Sequence, residues 1–199
     1  MPKSGIGHHF RNQMEEMFVI LDGEAQFTVD GRTSLLKGPA GAPCRMGQSH
    51  AIYNPVEKPV AWMNIAVGTV KGKYDNFDLG DDRVGAALDA KPPFISMQLD
   101  RSLLKPSGKV QYRRALPPDV FFTNWSYVDH LLIPAGASVD KQVHTGVEEF
   151  YYVINGEGTV RVNSETAPVH NGDSIPILFN DVHSFESSGT GELHVLQVH

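Results

Sequence analysis

Cysteine and long hydrophobic runs are nearly absent from this chain. Cys44 is the single cysteine among 199 residues, so no internal disulfide bond can form, and a reducing compartment suits the sequence. No apolar run approaches the ~18 residues of a transmembrane helix, and the opening MPKSGIGHHF lacks the apolar core of a signal peptide. The net charge of −6 without a Lys/Arg cluster argues against a nucleic-acid-binding surface. We therefore expect a cytoplasmic protein that contacts neither membranes nor nucleic acids.

Turn residues are frequent, with 19 glycines and 13 prolines, and this favours short strands over long helices. Segments such as AQFTVDGRTSLL and GTVRVNSETAPV place β-branched and aromatic residues between turn residues, a pattern typical of strands. Asp30 and Gly31 in the first of these segments predict a two-residue hairpin turn. An apolar content of 41% supports a folded core. The sequence predicts an all-β fold.

One phrase occurs twice in the sequence. EEMFVILDG at residues 15–23 returns as EEFYYVING at residues 148–156, an offset of 133 positions. Two copies of one supersecondary unit explain an ungapped register of this length. We therefore expect two small β-barrels. The same offset aligns Glu16 with Glu149, Gly47 with Asn180, His50 with His183, Arg11 with His144, and His9 with Gln142.

The segment between the two copies is polar, acidic and rich in glycine, as linkers are. We predict an N-terminal barrel at residues 1–68, a linker or excursion at 69–109, and a C-terminal barrel at 110–199. The first copy has only a short run-in before Arg11, so it lacks edge strands for its sheets. Either the linker or a second subunit could supply them, and the second alternative predicts an intertwined homodimer.

The second copy contains a candidate metal site. Residues two apart on a strand share a face, so Gln142 and His144 point the same way, with Glu149 and His183 delivered by later strands. Two imidazoles and a carboxylate that converge inside a barrel suit Fe(II), and also Zn, Mn or Ni. Burial of a glutamate is costly unless a cation compensates its charge. We predict His144, Glu149 and His183 as ligands, and Tyr151, which shares the face of Glu149, as a substrate contact.

These motifs resemble those of the cupin superfamily. The C-terminal copy shows GASVDKQVHTGVEEFYYVING and a second motif ending at His183, with Gln142 where the first histidine of the family motif would stand. The N-terminal copy, HHFRNQMEEMFVILDG and CRMGQSHAIYN, is similar, with Arg11 in the place of the second histidine. The resemblance implies two tandem cupin barrels of the double-stranded β-helix or jelly-roll type, a bicupin. In the N-terminal barrel it assigns the ligand places to His9, Glu16 and His50.

The resemblance also implies one divalent transition metal ion, Fe, Mn, Zn or Ni, in the C-terminal barrel, and it leaves a second ion in the N-terminal barrel open. Arg11 places a permanent cation at that second site, a repulsion worth ~1–4 kcal/mol at effective dielectrics between water and a protein surface. Arg11 can pair with Glu16, hold an anionic ligand, or swing out and leave the site to a metal. Gln142 offers a neutral amide oxygen as a fourth ligand or as a substrate contact.

Two functions compete at this point, and a mixed protein with one catalytic and one structural barrel is a third possibility. The first is a metal-dependent enzyme of the dioxygenase, isomerase or decarboxylase type that acts on a small organic molecule. The second is a non-catalytic binding or sensor protein for an anionic metabolite, with Arg11 as its anchor. Function depends on the site and not on the fold, so the architecture alone does not decide between them.

Overall fold

A computed structural model describes residues 1–80 and 86–199 of the chain; residues 81–85 of the predicted linker lie outside this description. The described residues form short strands joined by turns, which confirms the predicted all-β fold. Helical structure in this part is limited to two 3₁₀ turns, Arg101–Leu103 and Pro118–Val120. None of the described helices is long and apolar enough to cross a membrane.

The chain divides into two compact units. The first unit consists of Met1–Leu99 and Phe121–Trp125, and the second consists of Asp100–Val120 and Ser126–His199. Short strands from the predicted linker pair with sheets of the first unit, so the chain itself supplies additional edge strands there. The sequence-based reason to expect strand exchange with a second subunit therefore no longer applies. The homodimer itself stays a prediction.

The first unit is built from two antiparallel sheets whose apolar side chains share one core, including Phe18, Phe27, Leu36 and Ile52. One sheet has the strand order β8-β1-β6-β3-β4-β9, in which only the edge strand β9 runs parallel to its neighbour, and the other has the order β10-β5-β2-β7. The strands are β1 Gly5–Phe10, β2 Met14–Ile20, β3 Glu24–Val29, β4 Arg32–Lys37, β5 Ala40–Cys44, β6 His50–Tyr53, β7 Trp62–Gly68, β8 Phe77–Asp78, β9 Leu88–Asp89 and β10 Met97–Gln98.

The second unit repeats this arrangement, with a core that includes Leu131, Tyr151, Val160, Ile177 and Phe185. One sheet has the order β11-β12-β13-β19-β14-β17 and the other the order β16-β15-β18. The strands are β11 Lys105–Ser107, β12 Val110–Leu116, β13 Val128–Ile133, β14 Glu149–Asn155, β15 Glu157–Val162, β16 Glu165–His170, β17 Ser174–Ile177, β18 His183–Ser187 and β19 Leu193–Val198.

The internal repeat is visible in the strand register. β3 and β15 begin 133 residues apart, and so do β4 and β16, and β6 and β18. Backbone pairing is conserved as well, because His9 opposes His50 in the first unit while Gln142 opposes His183 in the second. The predicted alignment of the two copies is therefore also an alignment of their strands.

Turn chemistry follows the same repeat. Asp30 and Gly31 adopt positive φ angles of 49° and 75° between β3 and β4, which confirms the predicted hairpin turn. Gly47 and its counterpart Asn180 also have positive φ angles, 78° and 67°. Asparagine is one of the few residues other than glycine that tolerate this left-handed region, which explains why it can replace the glycine of the motif.

Candidate metal centres

In the first unit, three strands bring His9, Glu16 and His50 together. His9 on β1 is the backbone partner of His50 on β6, and Glu16 comes from β2 in the other sheet. One ligand atom from each residue lies within 4.8 Å of the other two, and all three residues are buried. The structure thus gathers the three residues predicted as ligands of the N-terminal barrel.

Backbone carbonyl groups orient both histidines toward the carboxylate. Nδ1 of His9 donates to the carbonyl oxygen of Gly7 at 2.8 Å, and Nδ1 of His50 donates to that of Gln48 at 2.9 Å. The Nε2 atoms then lie 3.4 Å and 3.0 Å, respectively, from Oε2 of Glu16. Outer hydrogen bonds of this kind fix the tautomer and ring orientation of histidines in metal sites.

The guanidinium group of Arg11 occupies another side of the same carboxylate. Its Nε donates to Oε2 of Glu16 at 2.5 Å, and its Nη1 donates to the carbonyl oxygen of Asp75 at 2.6 Å. The second carboxylate oxygen, Oε1, accepts a hydrogen bond from Nδ2 of Asn64 at 2.9 Å. Among the described residues, none of the three gathered side chains keeps a buried nitrogen or oxygen atom without a partner.

The electrostatics of this first cluster reflect these contacts. Burial alone would raise the pKa of Glu16, but hydrogen bonds from the two histidines, Asn64 and Arg11 outweigh it and hold the pKa well below its usual range. The hydrogen bond to Glu16 raises the pKa of His9 against the opposing effect of burial. The carboxylate is therefore an anion whose charge the protein already compensates.

In the second unit, Glu149 begins β14, His183 begins β18, and His144 lies in the segment before β14. One ligand atom from each lies within 4.8 Å of the others. Nε2 of His144 is 3.0 Å from Oε1 of Glu149, and Nε2 of His183 is 3.8 Å from the same oxygen. The three predicted C-terminal ligands are therefore neighbours in the structure.

Two facing atoms of this second cluster lack a hydrogen-bond partner among the residues that the structure describes. They are Nε2 of His144 and Oε1 of Glu149, which are buried and lie 3.0 Å apart. Buried polar atoms are nearly always paired with protein, water or an ion. A divalent cation accepts lone pairs from imidazole and carboxylate together, so this donor set fits a transition metal ion.

Gln197 and Tyr151 support the second cluster from within the barrel. Nε2 of Gln197 donates to Oε2 of Glu149 at 2.8 Å and to the Tyr151 hydroxyl at 2.7 Å. That hydroxyl lies 3.1 Å from Nε2 of His183. Burial, followed by the charge of Glu149, raises the pKa of Tyr151 well above its usual value, so its hydroxyl is neutral. Tyr151, predicted as a substrate contact, therefore touches a candidate ligand directly.

A cavity of about 280 Å³ opens beside the second cluster. Nε2 of His199 lies 3.5 Å from Oε2 of Glu149, and both ring nitrogens are buried with no hydrogen-bond partner in residues 1–80 and 86–199. Burial lowers the pKa of His199, although Glu149 partly opposes this. Asp129 on the wall is paired with Arg114 at 2.9 Å. The polar wall residues are Ser107, Tyr112, Tyr127, Asp129, Gln142, His144, Gln197 and His199.

The residues around the two clusters that were not predicted from the sequence are Asn64, Asp75, Gln197 and His199. All of them except Asp75 carried a usable signal. The offset of 133 pairs Asn64 with Gln197, and Ala66 with His199. Extending the alignment beyond His183 would have placed an amide beside each glutamate and an additional imidazole in the second unit. Asp75 has no motif around it and no counterpart within the chain, so only the structure identifies it as the acceptor for Arg11.

Residues 130–199 match the family described as cupin domain. Among curated proteins, the oxalate-binding protein of Thermotoga maritima is 29% identical over 91 residues, which cover 46% of this chain and 75% of that protein.

Solved structures match over almost the whole chain. Salicylate 1,2-dioxygenase from Pseudoaminobacter salicylatoxidans, as a mutant in complex with gentisate, superposes with a TM-score of 0.82 at 14% identity. Oxalate decarboxylase from Bacillus subtilis superposes with a TM-score of 0.72 at 15% identity. Each match covers 99% of this chain and 65% of the other. Similarity at this level of identity shows the fold, and the chain spans just under two thirds of each enzyme chain.

Proposed function

We propose that this protein belongs to the cupin superfamily, binds one divalent transition metal ion through His144, Glu149 and His183, and is an enzyme that acts on a small organic molecule. One observation carries the proposal. Within the described part of the chain, the buried atoms Nε2 of His144 and Oε1 of Glu149 have no hydrogen-bond partner, and His144 lines a cavity of about 280 Å³. The ion would be Fe, Mn, Zn or Ni, because two imidazoles and a carboxylate accept each of them.

A divalent ion at this position would supply Lewis acidity toward an oxygen atom of the bound molecule. The residues of the chain would hold the ion and orient the bound molecule. Gln197 fixes the Glu149 carboxylate through its hydrogen bond to Oε2. Gln142 and His199 present a carboxamide and an imidazole to the cavity, where they can bind polar groups of the molecule. The small volume suits a ligand at the lower end of the usual size range.

The structural relatives support an enzyme of the dioxygenase or decarboxylase type, with isomerase chemistry as a further class within the proposal. Salicylate 1,2-dioxygenase and oxalate decarboxylase are named for reactions of small organic acids, and both share the fold of this chain. This support is an analogy between folds, so the reaction has to be tested on the site itself.

Metal analysis of the purified full chain tests the binding step. We expect about one equivalent of a first-row transition metal in the wild type, and none after His144→Ala is combined with His183→Ala. His170→Ala serves as the matched control, because His170 is an exposed histidine outside both clusters. An unchanged metal content in the double variant would refute the assigned ligands.

A second candidate function is non-catalytic capture of a small anion, and the similarity to the oxalate-binding protein favours it. Metal-loaded protein would be titrated with oxalate and with salicylate by calorimetry, and product formation would be followed in parallel. Binding without turnover favours the binding protein, whereas turnover favours the enzyme.

The proposal also includes the bicupin description, the cytoplasmic location and the homodimer. Light scattering tests the homodimer.

A further inference from the structure

We infer that the first unit carries its own cation: the guanidinium group of Arg11 takes the place that a divalent ion would take. The cluster of His9, Glu16 and His50 is then a closed ion-pair network. It is not a second metal centre. The inference concerns the first unit alone, so it stands or falls separately from the proposed ion in the second unit.

The contacts of Glu16 engage both of its carboxylate oxygens. Nε of Arg11 is 2.5 Å from Oε2 of Glu16, the same oxygen that His50 and His9 face at 3.0 Å and 3.4 Å. The other oxygen, Oε1, is engaged by Asn64 at 2.9 Å. An ion shared by the two imidazoles and this carboxylate would therefore have to displace the hydrogen bond from Arg11.

Arg11 is also held from its far side. Its Nη1 donates to the carbonyl oxygen of Asp75 at 2.6 Å. The carboxylate of Asp75 accepts hydrogen bonds from the backbone amides of Asn12 and Gln13, with a distance of 3.0 Å to Gln13. The backbone next to Arg11 and the end of its side chain are thus bound to one residue. Moving the guanidinium away from Glu16 would break this second set of contacts.

The two clusters differ in a way that matches this assignment. Arg11 stands at the position of His144 in the internal repeat, so a donor of lone pairs in one unit is a permanent cation in the other. In the second unit, Nε2 of His144 and Oε1 of Glu149 are left without a hydrogen-bond partner among the described residues. In the first cluster no gathered side chain has such an atom within the described part of the chain. The first site is satisfied by protein alone.

Cobalt binding to the full chain tests the inference. The background is His144→Ala with His183→Ala, so that the second unit does not contribute ligands. We expect no Co²⁺ binding in this background, and about one equivalent, with visible d–d absorption, once Arg11→His is added. Further addition of His50→Ala should remove that equivalent. Arg11→Lys is the matched control, because it keeps the cation and should leave the site without Co²⁺.

Two results would overturn the inference. One is Co²⁺ binding in the background with Arg11 intact that is lost on His50→Ala. The other is an absence of additional Co²⁺ in a folded Arg11→His variant. If circular dichroism shows that this variant does not fold, Arg11→Gln should still strengthen Co²⁺ binding on the order of 10- to 100-fold over the Arg11 form, because it removes the charge. A lack of metal in the wild type would count against the proposed second centre and not against this inference.

Discussion

Asn64 and Gln197 stand at equivalent positions of the two units, and each donates an amide hydrogen to the central glutamate of its own unit. Nδ2 of Asn64 is 2.9 Å from Oε1 of Glu16, and Nε2 of Gln197 is 2.8 Å from Oε2 of Glu149. The same kind of hydrogen bond therefore orients two carboxylates whose negative charges are compensated in different ways. Arg11 pairs with Glu16 in the first unit, whereas Glu149 lies against the candidate ligands His144 and His183 in the second.

This relationship predicts that Gln197 tunes metal affinity while Asn64 does not. Replacing Gln197 by Leu removes the hydrogen bond that orients Glu149, and outer contacts of this kind are typically worth 10- to 100-fold, so we expect metal affinity to fall by about that factor. Competition with a chromophoric chelator measures the affinity. Asn64→Leu is the control and should leave it unchanged. Equal affinities for wild type and Gln197→Leu would contradict the supporting role.

Each copy of the repeated phrase begins with two glutamates, and we expect substitution of the first one to affect stability differently in the two copies. Glu15 is buried, and its carboxylate accepts hydrogen bonds from the backbone amides of Phe122 and Thr123, at 2.9 Å and 2.8 Å, and from the Thr123 hydroxyl. Glu15→Ala leaves these donors without an acceptor, so we expect a loss of about 2–4 kcal/mol in the free energy of unfolding.

The counterpart Glu148 is exposed, so Glu148→Ala should change the free energy of unfolding by less than about 0.5 kcal/mol. Urea unfolding followed by fluorescence compares the two variants. Similar small effects for Glu15→Ala and Glu148→Ala would show that the buried contact contributes little.

Because His130 is buried, we expect the free energy of unfolding to depend on pH. Its side chain is fully buried against His194, and burial, with a smaller effect of His194, lowers its pKa from 6.5 to about 3. The unfolded chain takes up this proton near pH 6.5, whereas the folded chain resists it until about pH 3. Stability should therefore fall as the pH drops through this window, and His130 should contribute a slope of up to about 1.4 kcal/mol per pH unit.

Replacing His130 by Leu removes that titration, so the dependence of the unfolding free energy on pH should become flatter between these limits. Urea unfolding at a series of pH values measures it. The exposed His170→Ala variant is the control and should keep the wild-type slope. A slope that is unchanged in His130→Leu would contradict the assignment to His130.

The backbone at Gly156 leaves no room for a side chain. Its φ angle is +94°, and an added Cβ would lie 1.9 Å from the carbonyl oxygen of Glu192. Gly156→Ala must therefore move the backbone, and we expect a loss of at least about 3 kcal/mol in the free energy of unfolding. Gly189→Ala, where a Cβ meets nothing within 4 Å, is the matched control. Comparable midpoints in urea for the two variants would contradict the close approach.

Local sequence signals accounted for much of the architecture. The repeated phrase predicted the alignment of β3 with β15 and of β6 with β18, because a rigid strand register keeps residue spacing intact. Strand parity predicted which residues would meet in the second unit, whereas the resemblance to the cupin superfamily implied the ligand places of the first. A repeated phrase and strand parity can be read from one sequence alone.

Features that depend on distant segments were predicted only in part. The linker was one of two alternatives for the missing edge strands of the first unit. The pairing of β8 with β1 and of β10 with β5 requires the excursion to fold back on the first unit, and two-residue strands carry no periodic signal. The sequence left three alternatives for Arg11, and the contact with Asp75 that holds it comes from the same excursion. His199 lies beyond both motifs, and only an extension of the repeat past His183 would have placed it near Glu149.

The most direct measurement is an anomalous-scattering map of crystals of the full chain, recorded at the absorption edge of the metal found by elemental analysis. Our account predicts one peak, bounded by His144, Glu149 and His183, and no peak beside Arg11 and Glu16. A peak in the first unit, or a metal-loaded protein without density among the three second-unit ligands, would contradict it.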